Sequence, residues 1–296
     1  MSNPVTIFDR ALLRKRRDRA APRFAEYDFL TAAMAERLAD RLQDTTRRFP
    51  FALDLGCHQG QLARALAGTQ RIDMLVQCDV SEAMLRRAHG LRVAADEEYL
   101  PFAPGSFDLV MSAGALQWVN DVPGALAQIQ RILKPDGMFL AVVPGGQTLR
   151  ELRECLLAAE LHVSGGAGPR VSPFIDVRDA GALLQRAQFA LPVADTEMLT
   201  VSYPTPLDLM FDLRGMGQAN ALCEAQKRFS RRGTLMRAAA LYREKYGDTE
   251  GRAQATFELV TLTGWKPDAS QPKPARRGSG KLSLALALGD DTVSGA

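Results

Sequence analysis

Cysteine is scarce: four residues in 296, at positions 57, 78, 155 and 223, with no Cys-x-x-Cys pair. That scatter excludes a disulfide framework and a thiolate zinc centre. Free thiols in a reducing compartment fit it best. Histidine is scarcer still, at three residues. Long apolar runs are also missing. Runs such as Met138–Val143 and Leu282–Leu288, the latter broken by Ser283, fall far short of the roughly 20 residues that cross a bilayer. No membrane-spanning helix is expected. The basic start is not followed by an apolar h-region, so no secretory signal is visible. Charge is close to balanced, with 37 basic and 34 acidic residues for a net +3. That excess is too small to indicate a nucleic-acid partner. No Gly-Lys-[Ser/Thr] triplet occurs, which excludes a phosphate-cradling P-loop.

What is present is ordinary globular material, 46% apolar and 24% charged. The length suits one large domain or two small ones. Residues 1–48 read as a polar, Arg-rich helical cap. Within it Phe29, Leu30, Met34, Leu38 and Leu42 form an amphipathic stripe. Short apolar runs then alternate with helical patterns. Strands are expected at Phe51–Leu55, Met74–Cys78, Leu91–Ala95, Phe107–Ser112 and Met138–Val143. Helices are expected at Gln61–Ala67, after the N-cap residue Ser81, and from Val122 to a stop at Lys134-Pro135-Asp136-Gly137. This rhythm predicts right-handed βαβ units and a parallel sheet. Beyond residue 145 it loosens. A flexible loop is read at Gly165-Gly166-Ala167-Gly168-Pro169 and a helix at Val177–Ala187. Late strands are read at 193–203 and 254–263, with a helical insert, 206–247, between them. The expected organisation is a cap at 1–48 and a Rossmann-like α/β core at 49–205. The insert and last strand, 206–265, belong to the same domain, and an extended tail follows at 266–296.

Ligands of parallel sheets sit at the carboxyl ends of the strands. There the first strand runs into Asp54-Leu55-Gly56-Cys57-His58-Gln59-Gly60. Gly56 permits a tight turn, and Gly60 lets the next helix pack close to the strand. Asp79 closes the second strand, where an acid accepts hydrogen bonds from both ribose hydroxyls. Asp96-Glu97 follows the third, where a carboxylate meets an adenine amino group. A carboxylate beside the turn repels a diphosphate and suits a cationic ligand.

Asp54-Leu55-Gly56-Cys57-x-x-Gly60, Asp79, Asp96-Glu97 with Leu100-Pro101-Phe102, Phe107-Asp108-Leu109-Val110 and Leu133-Lys134-Pro135-Asp136-Gly137 resemble the successive motifs of class I S-adenosylmethionine-dependent methyltransferases. The resemblance implies a cofactor site of Asp54, Leu55, Gly56, Cys57, Gly60, Asp79, Val80, Asp96, Glu97 and Ser112. His58 departs from it, standing where the family usually has a glycine. A second set of motifs covers nearly the whole chain: Ile7-Phe8-Asp9-Arg10, Tyr27-Asp28-Phe29-Leu30, Gln117-Trp118-Val119-Asn120-Asp121, Gly145–Arg153, Ser172-Pro173-Phe174, Asp212–Gly217 and Gly264-Trp265-Lys266. These resemble the assembly factor 5 family of respiratory complex I. Its members are methyltransferase-like proteins associated with arginine hydroxylation in an iron–sulfur subunit. Mitochondrial members carry a targeting extension. Here the Ile-Phe-Asp-Arg motif stands at the start, so a bacterial cytoplasmic protein is expected.

The biotin-pathway malonyl-carrier-protein O-methyltransferase is similar too, and its carboxylate nucleophile is already anionic at neutral pH. A non-catalytic assembly chaperone is a third reading. Hydroxylation normally needs a redox centre. The 2-His-1-carboxylate iron site takes two histidines, and His58, His89 and His162 fall in separate elements. Substrate is expected to be protein-borne or carrier-borne, contacted by Tyr27, Gln117, Trp118 and Tyr203. Asn120 and Asp121 read as a helix cap. The Arg-rich stretch 10–23 reads as a solvated helix face, or as a clamp for an acidic partner.

Overall fold

The computed structural model describes residues 6–164, 166–225, 231–272 and 279. Most of the tail, and Gly165 of the loop, lie outside the described residues. Among the described residues the strands form one seven-stranded sheet in the order β3-β2-β1-β4-β5-β7-β6. These are β1 (Phe49–Leu55), β2 (Ile72–Asp79), β3 (Leu91–Ala94), β4 (Phe107–Ala113), β5 (Leu133–Pro144), β6 (Ala190–Tyr203) and β7 (Ala253–Trp265). The first five are parallel, and β7 runs antiparallel to both of its neighbours. This is the α/β, Rossmann-like sheet of class I methyltransferases, with its order reversing between β1 and β4.

The period-two pattern builds two cores. On β4 and β5, Leu109, Met111, Met138, Leu140 and Val142 face one side. Val110, Phe139, Ala141 and Val143 face the other. The first side is covered by α2 (Phe29–Gln43) and α6 (Arg150–Ser164), with α9 (Arg232–Tyr246) packed behind. The second is covered by α5 (Val122–Ile132) and α7 (Val177–Arg186). A family motif proves structural here: Lys134 Nζ donates to both carboxylate oxygens of Asp108, at 3.0 and 2.9 Å, tying β5 to β4.

Several boundaries differ from the sequence reading. β5 begins five residues earlier, at Leu133, because the Lys-Pro-Asp-Gly stretch runs on as strand. The helix after Ser81, α4 (Glu82–Leu85), is a single turn; α3 (Gln61–Ala65) is barely longer. Helix α6 was not anticipated, since Gly145-Gly146 masked its approach. The insert contains α8 (Pro206–Gly215) and α9, capped at its entry by Thr205, whose hydroxyl accepts from the Asp208 amide. Among the described residues no helix is long and apolar enough to cross a membrane.

At the N-terminus, α1 (Arg10–Ala20) is capped by Asp9, whose carboxylate accepts from the Leu12 amide at 2.8 Å. The amides of Ile7 and Phe8 donate to Asn120 Oδ1 at 2.8 and 2.7 Å. Asp121 caps α5 through the Gly124 amide. Two motifs distant in sequence thus clasp each other at the carboxyl edge of β4. The stripe on α2 is buried at Leu30, Met34, Leu38 and Leu42, with Leu38 at 0% exposure, and partly buried at Phe29. Leu38→Ala should therefore lower stability by about 2–5 kcal/mol. Urea unfolding measures it, and an unchanged midpoint would mean that α2 does not pack as described.

Candidate functional site

The turn after β1 is shaped by backbone that only glycine adopts freely. Gly56 has φ +76°, and a Cβ there would sit 2.1 Å from the Ala115 Cβ. Gly60 has φ +80°, and its Cβ would meet Gln77 Oε1 at 2.7 Å. The amides of Gly56 and Cys57 both donate to the Cys78 carbonyl, at 2.7 and 2.9 Å, which holds the turn against the end of β2. His58 between them is left-handed as well, with φ 51°.

Three carboxylates converge beneath this turn with no exposed surface: Asp54, Asp79 and Glu97. Asp79 accepts from the amides of His58 (3.0 Å) and Ser81 (2.8 Å). Neither oxygen of Asp54 has a hydrogen-bond partner. Burial, then the Asp79 charge, push the Asp54 carboxyl up to about 8. The compensating cations come from α1. Arg17 is itself fully buried, and its Nη1 lies 3.3 Å from Asp79 Oδ1 and 3.4 Å from Glu97 Oε1. Arg10 donates to Glu97 and, at 2.6 Å, to Asp96. The sequence reading missed both arginines. Their signal was Arg10 within the Ile-Phe-Asp-Arg motif and the basic density of residues 10–23. Part of that stretch is not solvated: Arg17 and Arg10 are turned inward by the acids, and Arg16 donates to the carbonyls of Ala219 and Asn220.

The remaining expected cofactor residues divide. Leu55 is core. Ser112 is buried and donates to the Leu55 carbonyl at 2.8 Å, pinning β4 to β1. Val80 follows Asp79, half-buried. Cys57 is buried, and burial with the adjacent carboxylates holds its thiol protonated. His58 is buried too, stacked on Phe24 at 5.5 Å, with both ring nitrogens unpartnered. Burial first, and Arg17 second, lower its pKa to about 3, so the imidazole is neutral.

Beside these acids opens a cavity of about 960 Å³. Gly114, Gln117, Trp118 and Pro144, at the ends of β4 and β5, line it together with Tyr27. Trp118 is buried, edge-on to Phe8 at 5.3 Å, and its Nε1 donates to Gln218 at 2.7 Å. Gln117 Nε2 donates to the Gly114 carbonyl at 2.8 Å. Tyr203 stands apart from the other three expected substrate residues. It packs in the core beneath α8, where burial and then the Asp212 carboxylate push its hydroxyl pKa up. Five arginines (16, 19, 23, 170 and 214) line the cavity and, among the described residues, no acid does.

A model of the methyltransferase domain matches residues 53–141. The mitochondrial arginine-hydroxylase NDUFAF5 of Homo sapiens is 44% identical over 287 residues, covering 95% of this chain and 83% of that protein. The chain belongs to the NDUFAF5 family. It is also similar to a malonyl-[acyl-carrier protein] O-methyltransferase of Methylovorus sp. (strain MP688), at 34% identity over 93% of this chain and 95% of that one. The crystal structure of the YcgJ protein of Bacillus subtilis shares the fold, with a TM-score of 0.55 at 17% identity over 79% of this chain and 98% of that one. The expectation of a bacterial cytoplasmic protein is corrected by the NDUFAF5 relatives, which bear a mitochondrial designation. They point away from the cytoplasm, and the position of the Ile-Phe-Asp-Arg motif does not argue otherwise.

The cofactor of this domain family is S-adenosyl-L-methionine. The donor set fits it in kind. Asp54 offers two orphaned buried oxygens, and Asp79 and Glu97 lie at the end of β2 and just after β3, where Arg17 and Arg10 now occupy them.

If Asp79 takes the ribose hydroxyls, Asp79→Ala removes two charge-assisted hydrogen bonds, each worth roughly 1.5–3 kcal/mol before compensation. Affinity for S-adenosylmethionine should fall at least tenfold by titration calorimetry, and unchanged affinity in a folded variant would sink the ribose assignment. Asp54 generates a pH prediction. Its folded pKa, about 8, lies above that of an unfolded aspartate, about 4. The native state therefore keeps the proton longer, and stability falls as pH rises through that window, by at most about 1.4 kcal/mol per pH unit. Asp54→Asn should raise the Tm of the ligand-free protein, by more near pH 7.5 than near pH 5. An equal gain at both values would show that the carboxylate is already ionised in the fold.

Proposed function

We propose that the chain is an S-adenosylmethionine-dependent enzyme that acts on a protein-borne or carrier-borne substrate during respiratory complex I assembly. The observation that carries the reading is spatial. The buried acids at the ends of β1 and β2, and after β3, do not line the cavity themselves, but their turn touches it through the contact of Gly56 with Ala115, next to Gly114 on the cavity wall. When bound, the cofactor supplies an electrophilic methyl group on a sulfonium centre. In this proposal Asp79 holds the two ribose hydroxyls and Asp96-Glu97 receives the adenine. Asp54 and the 55–60 turn hold the methionine end, with Val80 beside the ribose and Ser112 fixing the strand ends. Tyr27, Gln117 and Trp118 form the wall that the acceptor group meets, while Tyr203 supports α8 from the core. Apolar Leu30, Met34, Leu149 and Phe257 on the cavity walls exclude water from the meeting point, which strengthens every charge interaction there.

The NDUFAF5 relatives are named arginine hydroxylases, which supports an arginine as the acceptor, and the family resemblance of the motifs implies an iron–sulfur subunit of complex I as the partner. Among the described residues no group of three His, Cys, Asp or Glu comes together in a way that would hold a metal. A second reading, methyl transfer to a carboxylate on an acyl carrier, is favoured by Arg16, Arg19 and Arg214 on the cavity wall, which attract an anionic acceptor and repel a cationic one, whereas Arg23 and Arg170 are already paired with Glu26 and Glu160. A non-catalytic chaperone would need none of the buried acids.

Intact mass spectrometry of the complex I iron–sulfur subunit separates these readings in a strain lacking this protein. Loss of one oxygen mass is expected for hydroxylation, and loss of one methylene mass for methylation. An unchanged subunit mass would remove that subunit as substrate.

A further inference from the structure

The nucleoside site is filled by the chain's own side chains. Arg17 reaches across from α1 and sits on Asp79 and Glu97, while Arg10 takes the other face of Glu97 and Asp96. Phe24, just beyond α1, lies over His58 in the glycine turn. A ribose cannot share Asp79 with a guanidinium in this position, since the same carboxylate oxygens would serve both.

The closed arrangement is also poorly satisfied. Nε and Nη2 of Arg17, Nε of Arg10, both oxygens of Asp54 and both nitrogens of His58 are buried without hydrogen-bond partners. Each such atom gives up hydration with no return, so the filled site is held at a cost. A permanent structural ion pair would be expected to saturate its guanidinium. Here most of the unpartnered buried polar atoms of the described residues gather at one place.

Helix α1 is also built to come away. Its apolar anchors belong to two small clusters, one with Phe8, Trp118 and Leu222 and one with Phe24 and Met84, and to neither of the main cores. Apart from the Arg10 and Arg17 ion pairs with the site's own acids, its polar anchors are Arg10 on the Trp118 carbonyl at 3.2 Å, the Ser81 hydroxyl donating to Asp18 at 2.6 Å, Arg14 near Glu82 at 3.5 Å, and Arg16 on two carbonyls. Helix α1 pairs with no strand and lies in neither helical layer packed on the sheet. Arg17 has no exposed surface, so it has no route to water while the helix stays in place.

We propose that α1 is a displaceable plug of the nucleoside site, in which Arg17 occupies the carboxylates that a cofactor's ribose and adenine would take, so that loading the cofactor requires the helix to withdraw. The inference rests on the nucleoside-site reading given above. It makes cofactor affinity a net quantity, the intrinsic affinity reduced by the fraction of molecules that are open. Substrate contacts bear on the same equilibrium, because Arg16 ties α1 to residues 219 and 220 on the cavity wall.

The test uses S-adenosylhomocysteine, which binds without turning over, and the full chain. By titration calorimetry, Arg17→Ala should bind it at least tenfold more tightly than the wild type. Hydrogen exchange on the wild type provides a measurement that needs no variant: amides of residues 10–20 should exchange faster when S-adenosylhomocysteine is added. A folded Arg17→Ala protein that binds equally or less tightly overturns the plug, as does unchanged or slower exchange of α1 in the wild-type complex. If neither protein binds S-adenosylhomocysteine at millimolar concentration, the nucleoside-site reading falls and the plug falls with it. Binding by the wild type without loosening of α1 removes the plug alone.

Discussion

Burying several carboxylates at one edge of a sheet is the constraint around which the rest of this molecule is arranged. Asp54, Asp79 and Glu97 have lost all contact with water. An isolated buried carboxylate is so costly that it is neutralised by a proton or by a cation. Both solutions occur at this one edge. Asp54 keeps its proton, and Asp79 and Glu97 are met by arginines carried on a separate helix. The N-terminal cap is thereby more than a cover: its charge is part of the electrostatic closure of the core.

Much of this architecture was legible in the sequence, because period-two runs, glycine turns and acids at strand ends are local signals. The strands of the first half fall within a few residues of expectation. Boundaries moved where a local stop signal did not end the strand, as at Lys134-Pro135-Asp136-Gly137, which bulges between Leu133 and Met138 on β4, with Asp136 at φ 57°, and pairs with Lys266 instead. Contacts between distant segments were not legible. Nothing about Arg17 distinguishes it from Arg14, Arg16 or Arg19 until α1 is laid across the sheet. The hydrogen bonds from Ile7 and Phe8 to Asn120 likewise appear only in three dimensions. Family resemblance marked both motifs without giving the reason they occur together.

Tyr203 illustrates the opposite failure. Its place at the end of β6 suggested a pocket residue by topology, yet a strand end has two faces and only one looks into the cavity. Its ring turned toward the core. Trp118, Gln117 and Tyr27 sit on the facing side, and Gly215 presses against the Tyr27 ring closely enough that a Cβ would fall 2.4 Å from it. The cavity wall is thus assembled from the cap, the β4 turn and the insert together, and no single segment carries its shape.

The antiparallel course of β7 has a consequence for how such proteins diversify. Tyr203 and Ala253 stand directly opposite each other in the β6–β7 ladder. Everything between them is, topologically, the loop of a very long hairpin whose two ends are already clamped at the carboxyl edge. Closing a longer loop adds little, about 0.6 kcal/mol for each doubling of its length. The segment that carries α8 and α9 can therefore be lengthened, shortened or rebuilt without disturbing the register of the sheet or the turn after β1. Acceptor preference and cofactor handling can then change on separate evolutionary schedules, one in the hairpin loop and the other at the strand ends.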